Sequence, residues 1–387
     1  MLSPKMRAIV LGLQTGVPIH SEGMPGEAKT SWAKQIGPVL GRPVVVLTPS
    51  IYEPTDIGGY VAVKYRIEAA KNGNWVATPA GVGLTGQWWA ELLSREPGVL
   101  VVDEIRTLSR SLQAVSLRLI FELRAGDTAL HPDTWILALS NPANMSPDGR
   151  ELSAPLANRF CHVPWEMSLD TWGQAGMTAS WAVGGRPTFG VPAFPVAAPG
   201  WRNRVPGHFA QIFAFSKTRP AVMRAVPKET GKQGGPFPTL RTWTYGAMML
   251  AVSEHDEEAS SILLSGCVGP GPALEYLGWR RAQDLPDFQK LLEDPKSLKL
   301  PKEGDRQLAV LLGVVSEVAQ NPTVERWRAG WEVLFEATKQ APKDVAAVAA
   351  KSLAALRDAH PSLPFVSKKT MTPFIEVLRA IGVPLPE

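Results

Sequence analysis

Gly23-Met24-Pro25-Gly26-Glu27-Ala28-Lys29-Thr30, entered from Pro18-Ile19-His20-Ser21-Glu22, is the stretch on which the reading of this chain turns. Counted from Gly23 it fits G-x-x-x-x-A-K-T, with Ala28 where a glycine is usual. The glycines let successive backbone N–H groups wrap the β- and γ-phosphates of a nucleotide, and a helix beginning behind the loop adds its positive dipole end. Lys29 supplies a point charge to those phosphates, and the Thr30 hydroxyl is a ligand for Mg²⁺. A strand-like stretch precedes the loop and a helical pattern follows over about 29–39, which is the context such a loop requires. The competing reading is a Gly-Pro turn with a chance Lys-Thr behind it, and the rest of the sequence decides between the two.

Three short apolar runs have the composition of buried parallel strands: PVVVLTP (43–49), GVLVVDE (98–104) and TWILALSNP (134–142). The second ends in Asp103-Glu104, placing two carboxylates at the C-terminal edge of a sheet beside the loop. Asp103 suits Mg²⁺, directly or through water, and Glu104 suits the polarising of an attacking water. An apolar run ending in Asp-Glu is common by itself; about 75 residues behind a phosphate loop it gains meaning. Asn141, at the end of the 134–140 run, falls where a side chain could hold that water against a γ-phosphate, or where an Asn-Pro turn simply stops the strand. Arg159, in Leu156-Ala157-Asn158-Arg159-Phe160, suits an arginine finger reaching a neighbouring subunit's nucleotide, or an ordinary surface arginine. Arg241 opens the helical region after Pro238-Thr239-Leu240 and is a second candidate phosphate contact, from a lid.

The alternation of strand and helix over the first ~165 residues is the pattern of a parallel α/β sheet. Two helices are expected from TGQWWAELLSREPG (85–98) and from SRSLQAVSLRLIFELRAG (109–126), the latter with a terminal glycine. Asn72-Gly73, within YRIEAAKNGNWVATPAG, predicts the turn of an inserted β-hairpin. Residues 166–235 form a Pro/Gly-rich connector with one helical island at 208–217. A helical lid is expected over 236–299 and a further helical domain over 300–387, where 306–320, 324–340 and 343–360 have helical periods. The nucleotide-binding core is 1–165.

With 387 residues, 45% hydrophobic and 20% charged, the chain can bury a large core, which excludes intrinsic disorder as its main state. No apolar stretch approaches membrane-spanning length and no secretory leader is expected, so the chain reads as soluble and cytoplasmic. Cys161 and Cys267 make neither a disulfide framework nor a cysteine metal site. The six histidines lack paired ligand spacing, so no zinc is expected; His20 reads as a packed strand residue. No GxSxG or persuasive Cys/His pair supports covalent hydrolysis. The formal charge of +4 names no partner. Lys217, Arg219, Arg224, Lys228 and Lys232 read better as a solvated basic loop than as a nucleic-acid surface. Tyr60 is a packing residue at the hairpin's start, or else an aromatic grip on a substrate. Trp327 and Trp331, spaced i, i+4, read as a core or interface stripe.

On these residues the sequence resembles the AAA+ ATPases of the MoxR type. GMPGEAKT resembles that family's phosphate loop, which commonly carries Ala before the Lys. EPTDIGGY resembles its stretch after the second strand, LVVDEIRTLSRSLQAVSLRLIFE its extended Asp-Glu helix, and SNPAN with PLANRF its Asn-Pro sensor and Arg-Phe box. The likeness covers about 15–165 well and 236–295 less well. It implies ATP as the nucleotide, a hairpin inserted in the second helix, a helical lid, a homo-hexameric ring with ATP at subunit interfaces, and remodelling of a protein client. A partner bearing a von Willebrand factor A domain is common in that family. One departure is Arg106-Thr107 after Asp-Glu-Ile, where Asn-Arg is usual; it puts the inter-subunit contact of this segment in question. Two other classes stay open: an ATPase subunit of a nucleic-acid-processing or phage-defence assembly, and a nucleotide-gated scaffold with little turnover.

Overall fold

The computed structural model describes residues 2–375 apart from 49–50, 70–74, 147–149, 178–179, 182–186, 189–194, 198, 230, 232 and 283–284. The Asn72-Gly73 turn and Lys232 lie outside the described residues. The chain begins with a helix, α1 (Pro4–Leu13), that its short apolar run had not announced. Ser3 caps it by accepting from the Met6 N–H, and Pro4 takes the first helical position, where its missing N–H costs nothing. There follow β1 (Ile19–Glu22), α2 (Lys29–Leu40), β2 (Val44–Leu47) and α3 (Pro54–Gly58), then a hairpin of β3 (Tyr60–Ala69) and β4 (Trp75–Thr85). After it come α4 (Trp88–Arg95), β5 (Val99–Val102), α5 (Arg110–Glu122), a short hairpin of β6 (Arg124–Ala125) and β7 (Thr128–Ala129), and β8 (Trp135–Ser140). The single-turn α6 (Ala154–Ala157), β9 (Cys161–Pro164) and α7 (Leu169–Met177) complete this part.

The main sheet has five strands in the order β2-β5-β8-β1-β9, and every neighbouring pair is parallel. The fold is therefore the expected α/β core with an inserted antiparallel hairpin, β3–β4, between α3 and α4. Val99–Val102 and Trp135–Ser140 are buried throughout, because helices cover both faces of a central parallel strand. Parallel pairing has one consequence for function. It brings the C-terminal ends of β1, β5 and β8 to one edge, so Gly23, Asp103 and Asn141 leave the sheet side by side.

Three local expectations are corrected. The glycine expected to close α5 does not: Leu123 ends that helix in the left-handed conformation, and Gly126 turns the β6–β7 hairpin. The fifth strand, β9, was not anticipated, because Cys161-His162-Val163-Pro164 lacks a β-branched run; it joins the sheet by pairing with β1 in register, Ile19 with Cys161 and His20 with His162. The connector holds more helix than its composition announced. Besides α7, a helix α8 (Trp201–Thr218) begins nearly two turns ahead of the expected island and runs through Pro206.

Packing divides the chain into two units whose seams are not those expected along the sequence. The first comprises 1–197, 226–237 and 253–269. The second comprises 198–225, 238–252 and 270–387, and contains α8, α9 (Leu240–Val252) and the helices from residue 270 onward. The segment 253–269, expected in the lid, carries α10 (Glu257–Val268), which packs on α1 and β9 of the first unit. Arg7 fixes that docking by an ion pair with Asp256, Nε to Oδ2 at 2.7 Å, and the pairing holds the Asp256 carboxyl below its usual pKa. In the second unit Trp327 and Trp331 are core residues, edge to face at 5.8 Å, with Phe374 at 5.9 Å from Trp331. Among the described residues, no helix is long and apolar enough to cross a membrane.

Candidate functional site

The loop from Gly23 to Ala28 leaves β1 and delivers the chain into α2 at Lys29. Its shape depends on two residues with positive φ. Gly26 has φ +84° and open space where a Cβ would lie, whereas Ala28 is held at φ 56°, a conformation that costs an L-residue about 1 kcal/mol. Gly23 is required for a different reason: a Cβ there would lie 2.6 Å from the Cβ of Trp165. Trp165 is buried against the loop, donates from its indole Nε1 to the Glu27 carbonyl at 2.9 Å, and meets the Trp32 ring edge to face at 5.0 Å. The loop is thus clamped between its own helix and the residue that follows β9.

Pro25, Gly26, Glu27, Ala28, Lys29 and Thr30 line one side of a cleft of about 490 Å³, with Asp103, Glu104, Ser140 and Asn141 on the other. The Thr30 hydroxyl donates to Asp103 Oδ2 at 2.7 Å, so hydroxyl and carboxylate already meet where a divalent cation would be shared. Lys29 Nζ donates to the Gly23 carbonyl at 2.7 Å, the Met24 carbonyl at 2.7 Å and Asn141 Oδ1 at 3.0 Å. Burial lowers the Lys29 pKa from its ordinary value, and the charges of Glu27, Asp103 and Glu22 oppose that shift. Glu104 is exposed and, like Ala28, has a left-handed backbone, φ 56°. Among the described residues three non-glycines adopt that conformation, and two of them line this cleft. Strain of this kind persists where the surrounding structure over-determines it, as at ligand sites.

The structure therefore brings together Lys29, Thr30, Asp103, Glu104 and Asn141, all read from the sequence as members of one site. Arg159 lies elsewhere in the same unit. It follows α6, donates from Nη1 to the Pro155 carbonyl at 2.6 Å, and holds its guanidinium 5.0 Å from the Phe121 ring centre. Arg241 is the second residue of α9, in the helical unit. Tyr60, half exposed at the start of β3, donates its hydroxyl to Asp56.

Arg106, the departure noted above, is a buried internal clamp. Its Nε donates to Glu22 Oε2 at 2.8 Å and its Nη1 to Glu151 Oε2 at 2.5 Å. It ties the end of β1, directly before the phosphate loop, to the segment that leads into α6. Sequence reading missed this role, and it missed Trp165; both depend on partners more than forty positions away, for which no local spacing exists.

No protein-family model matches the chain, and no curated protein matches it. Among solved structures it is similar to a proposed ATPase from Cytophaga hutchinsonii, with 15% identity over 68% of this chain and 81% of that one, at a TM-score of 0.39. An MCM homologue from Methanopyrus kandleri is 13% identical over 68% of this chain and 55% of that one, at 0.31. NtrX from Brucella abortus is 13% identical over 90% of this chain and 67% of that one, at 0.27. TM-scores this low lend a functional reading nothing; it stands on the cleft itself.

Proposed function

We propose that this chain is a Mg²⁺-dependent ATPase of the MoxR type among the AAA+ proteins, working as a homo-hexameric ring that remodels or activates a protein partner. The observation that carries the reading is the Thr30–Asp103 contact at 2.7 Å, inside the cleft that also holds Lys29, Glu104 and Asn141. The donor set fits its ligands. Oxygen donors from Thr30 and Asp103 suit a hard cation, and the loop's N–H groups with Lys29 suit phosphates. Thr30 and Asp103 would hold a magnesium ion, which would supply positive charge beside the transferred phosphoryl group. Lys29 exchanges its backbone carbonyl partners for phosphate oxygens. Glu104 orients a water for in-line attack and accepts its proton, and Asn141 holds that water. Arg159, which does not line its own chain's cleft, acts in trans on a neighbour's γ-phosphate. The family likeness in sequence supports the ring, the protein client and a von Willebrand factor A partner.

The test is steady-state phosphate release from ATP, with and without Mg²⁺, beside equilibrium nucleotide binding. Lys29→Ala is expected to lose binding, and Glu104→Gln to bind ATP while turning it over about 10²-fold more slowly or worse. Wild-type protein that binds ATP in the presence of Mg²⁺ and releases no phosphate would replace this reading with a nucleotide-gated scaffold. Stimulation by polynucleotide that falls steeply with salt would replace the protein client with a nucleic acid.

A further inference from the structure

A buried polar layer crosses the sheet between the cleft and the Arg159 turn. His20, on β1, is buried, and its register partner on β9 is His162. The two Nδ1 atoms lie 3.0 Å apart, with the rings edge to face at 89°. His20 Nε2 lies 2.9 Å from the hydroxyl of Ser140, the last residue of β8 and the neighbour of Asn141. His162 Nε2 lies 2.9 Å from the carbonyl of Ala157, the last residue of α6, two positions before Arg159. Phe160 packs on both rings, at 5.8 and 6.3 Å.

The chemistry at one end fixes every link. A carbonyl only accepts, so His162 Nε2 carries a hydrogen and donates it to Ala157. In a neutral ring His162 Nδ1 then accepts, which makes His20 Nδ1 the donor and His20 Nε2 the acceptor from the Ser140 hydroxyl. The chain therefore runs in one direction, Ser140 to His20 to His162 to Ala157, with both rings neutral and each in a single tautomer. Burial holds the two imidazoles in that state by lowering their pKa values, His162 to about 4, and the Arg106 charge adds to it.

We infer that His20 and His162 are positioning residues that couple the Asn141 end of β8 to the turn bearing Arg159. Nucleotide state sensed at Asn141 is thereby transmitted, inside one subunit, to the arginine offered to the next. The inference rests on the ATPase reading above, with Arg159 acting in trans. Neither histidine lines the cleft, so neither is a catalytic residue.

Two substitutions each cut one link. In His162→Asn the amide oxygen stands near Nδ1 and keeps the bond from His20 while losing Ala157. In His162→Gln the amide N–H stands near Nε2 and keeps Ala157 while losing His20. Links in series fail alike, so both variants are expected to lower kcat about tenfold while KM for ATP and ATP affinity stay within about twofold. His20→Asn, which loses only Ser140, is expected to match them, and thermal melts identify folded variants. In an Arg159→Ala background the His162 substitutions are expected to add no further loss, because they act through that arginine. Wild-type kcat in either His162 variant, parallel losses in kcat and ATP affinity, or full additivity with Arg159→Ala would overturn the coupling. Arg159→Ala with wild-type turnover would overturn the reading in trans beneath it, and the coupling with it.

Discussion

Replacing Arg106 with Met separates an internal clamp from a contact reserved for a neighbouring subunit. The Arg106 side chain is 8% exposed, whereas Glu22 and Glu151 keep 35% and 38% of theirs in water. Hydrogen bonds to charged groups contribute roughly 1.5–3 kcal/mol each, so the two carboxylate contacts total roughly 3–6 kcal/mol before coupling between them. Truncating one member of a buried ion pair costs about 3–5 kcal/mol when its partner is left without water. Here both carboxylates rehydrate, which places the expected loss near the bottom of that range, about 3 kcal/mol. Arg106→Lys keeps the charge but not the fork that reaches two acids, so about half the loss is expected. The assay is urea denaturation at pH 7.5, with Glu22→Gln and Glu151→Gln made singly and with Arg106→Met. Coupling above about 1 kcal/mol in each cycle is expected. An Arg106→Met protein within about 0.5 kcal/mol of wild type, at every protein concentration, would refute the clamp.

Other outcomes follow from single features of the cleft and its supports. Gly23→Ala drives a Cβ to 2.6 Å from Trp165, and relief breaks the Trp165–Glu27 hydrogen bond. Overpacking plus that bond is expected to cost about 2–4 kcal/mol in urea denaturation and to weaken ATP binding measured by calorimetry. Ala28→Gly relieves a left-handed alanine and is expected to leave turnover intact and raise stability by up to about 1 kcal/mol. Stability should also fall on acidification. His162 and His208 are held at about 4 and about 3 by burial, below the ordinary 6.5, so the unfolded chain takes up protons first as pH drops. Their contribution is fully present above pH 6.5 and is lost through the folded values, about 2 kcal/mol each by pH 5. Denaturation midpoints equal at pH 7.5 and 5 would contradict that burial.

The parts of this structure legible in the sequence are those whose signal is local. The glycine loop with Lys29-Thr30, the apolar run ending at Asp103-Glu104 and the strand ending at Asn141 each declare themselves within ten residues, and the parallel sheet then gathers them. Strand β9 was missed because its contribution to the sheet is pairing with β1 rather than a β-branched composition of its own. The early start of α8 was hidden by Pro206, which breaks helices in most settings but sits here in a helix packed against α9 and the helix Gly304–Gln320. The two-unit packing was hidden because α10 leaves its sequence neighbours to cover α1 and β9. The supports of the site, Arg106 with its two glutamates, Trp165 beneath the loop, and the His20–His162 pair, join segments brought together only by the fold.

The most direct test of a site completed between subunits is to mix two inactive variants. Glu104→Gln lacks the carboxylate that activates water but keeps Arg159, and Arg159→Ala keeps the carboxylate but lacks the arginine. Each alone is expected to release little phosphate. Co-assembled in equal amounts, about a quarter of the interfaces pair an intact Glu104 cleft with an intact Arg159, so about a quarter of wild-type turnover should return. A mixture that forms joint assemblies yet stays inactive, or an Arg159→Ala protein that turns over ATP at the wild-type rate, would contradict the account.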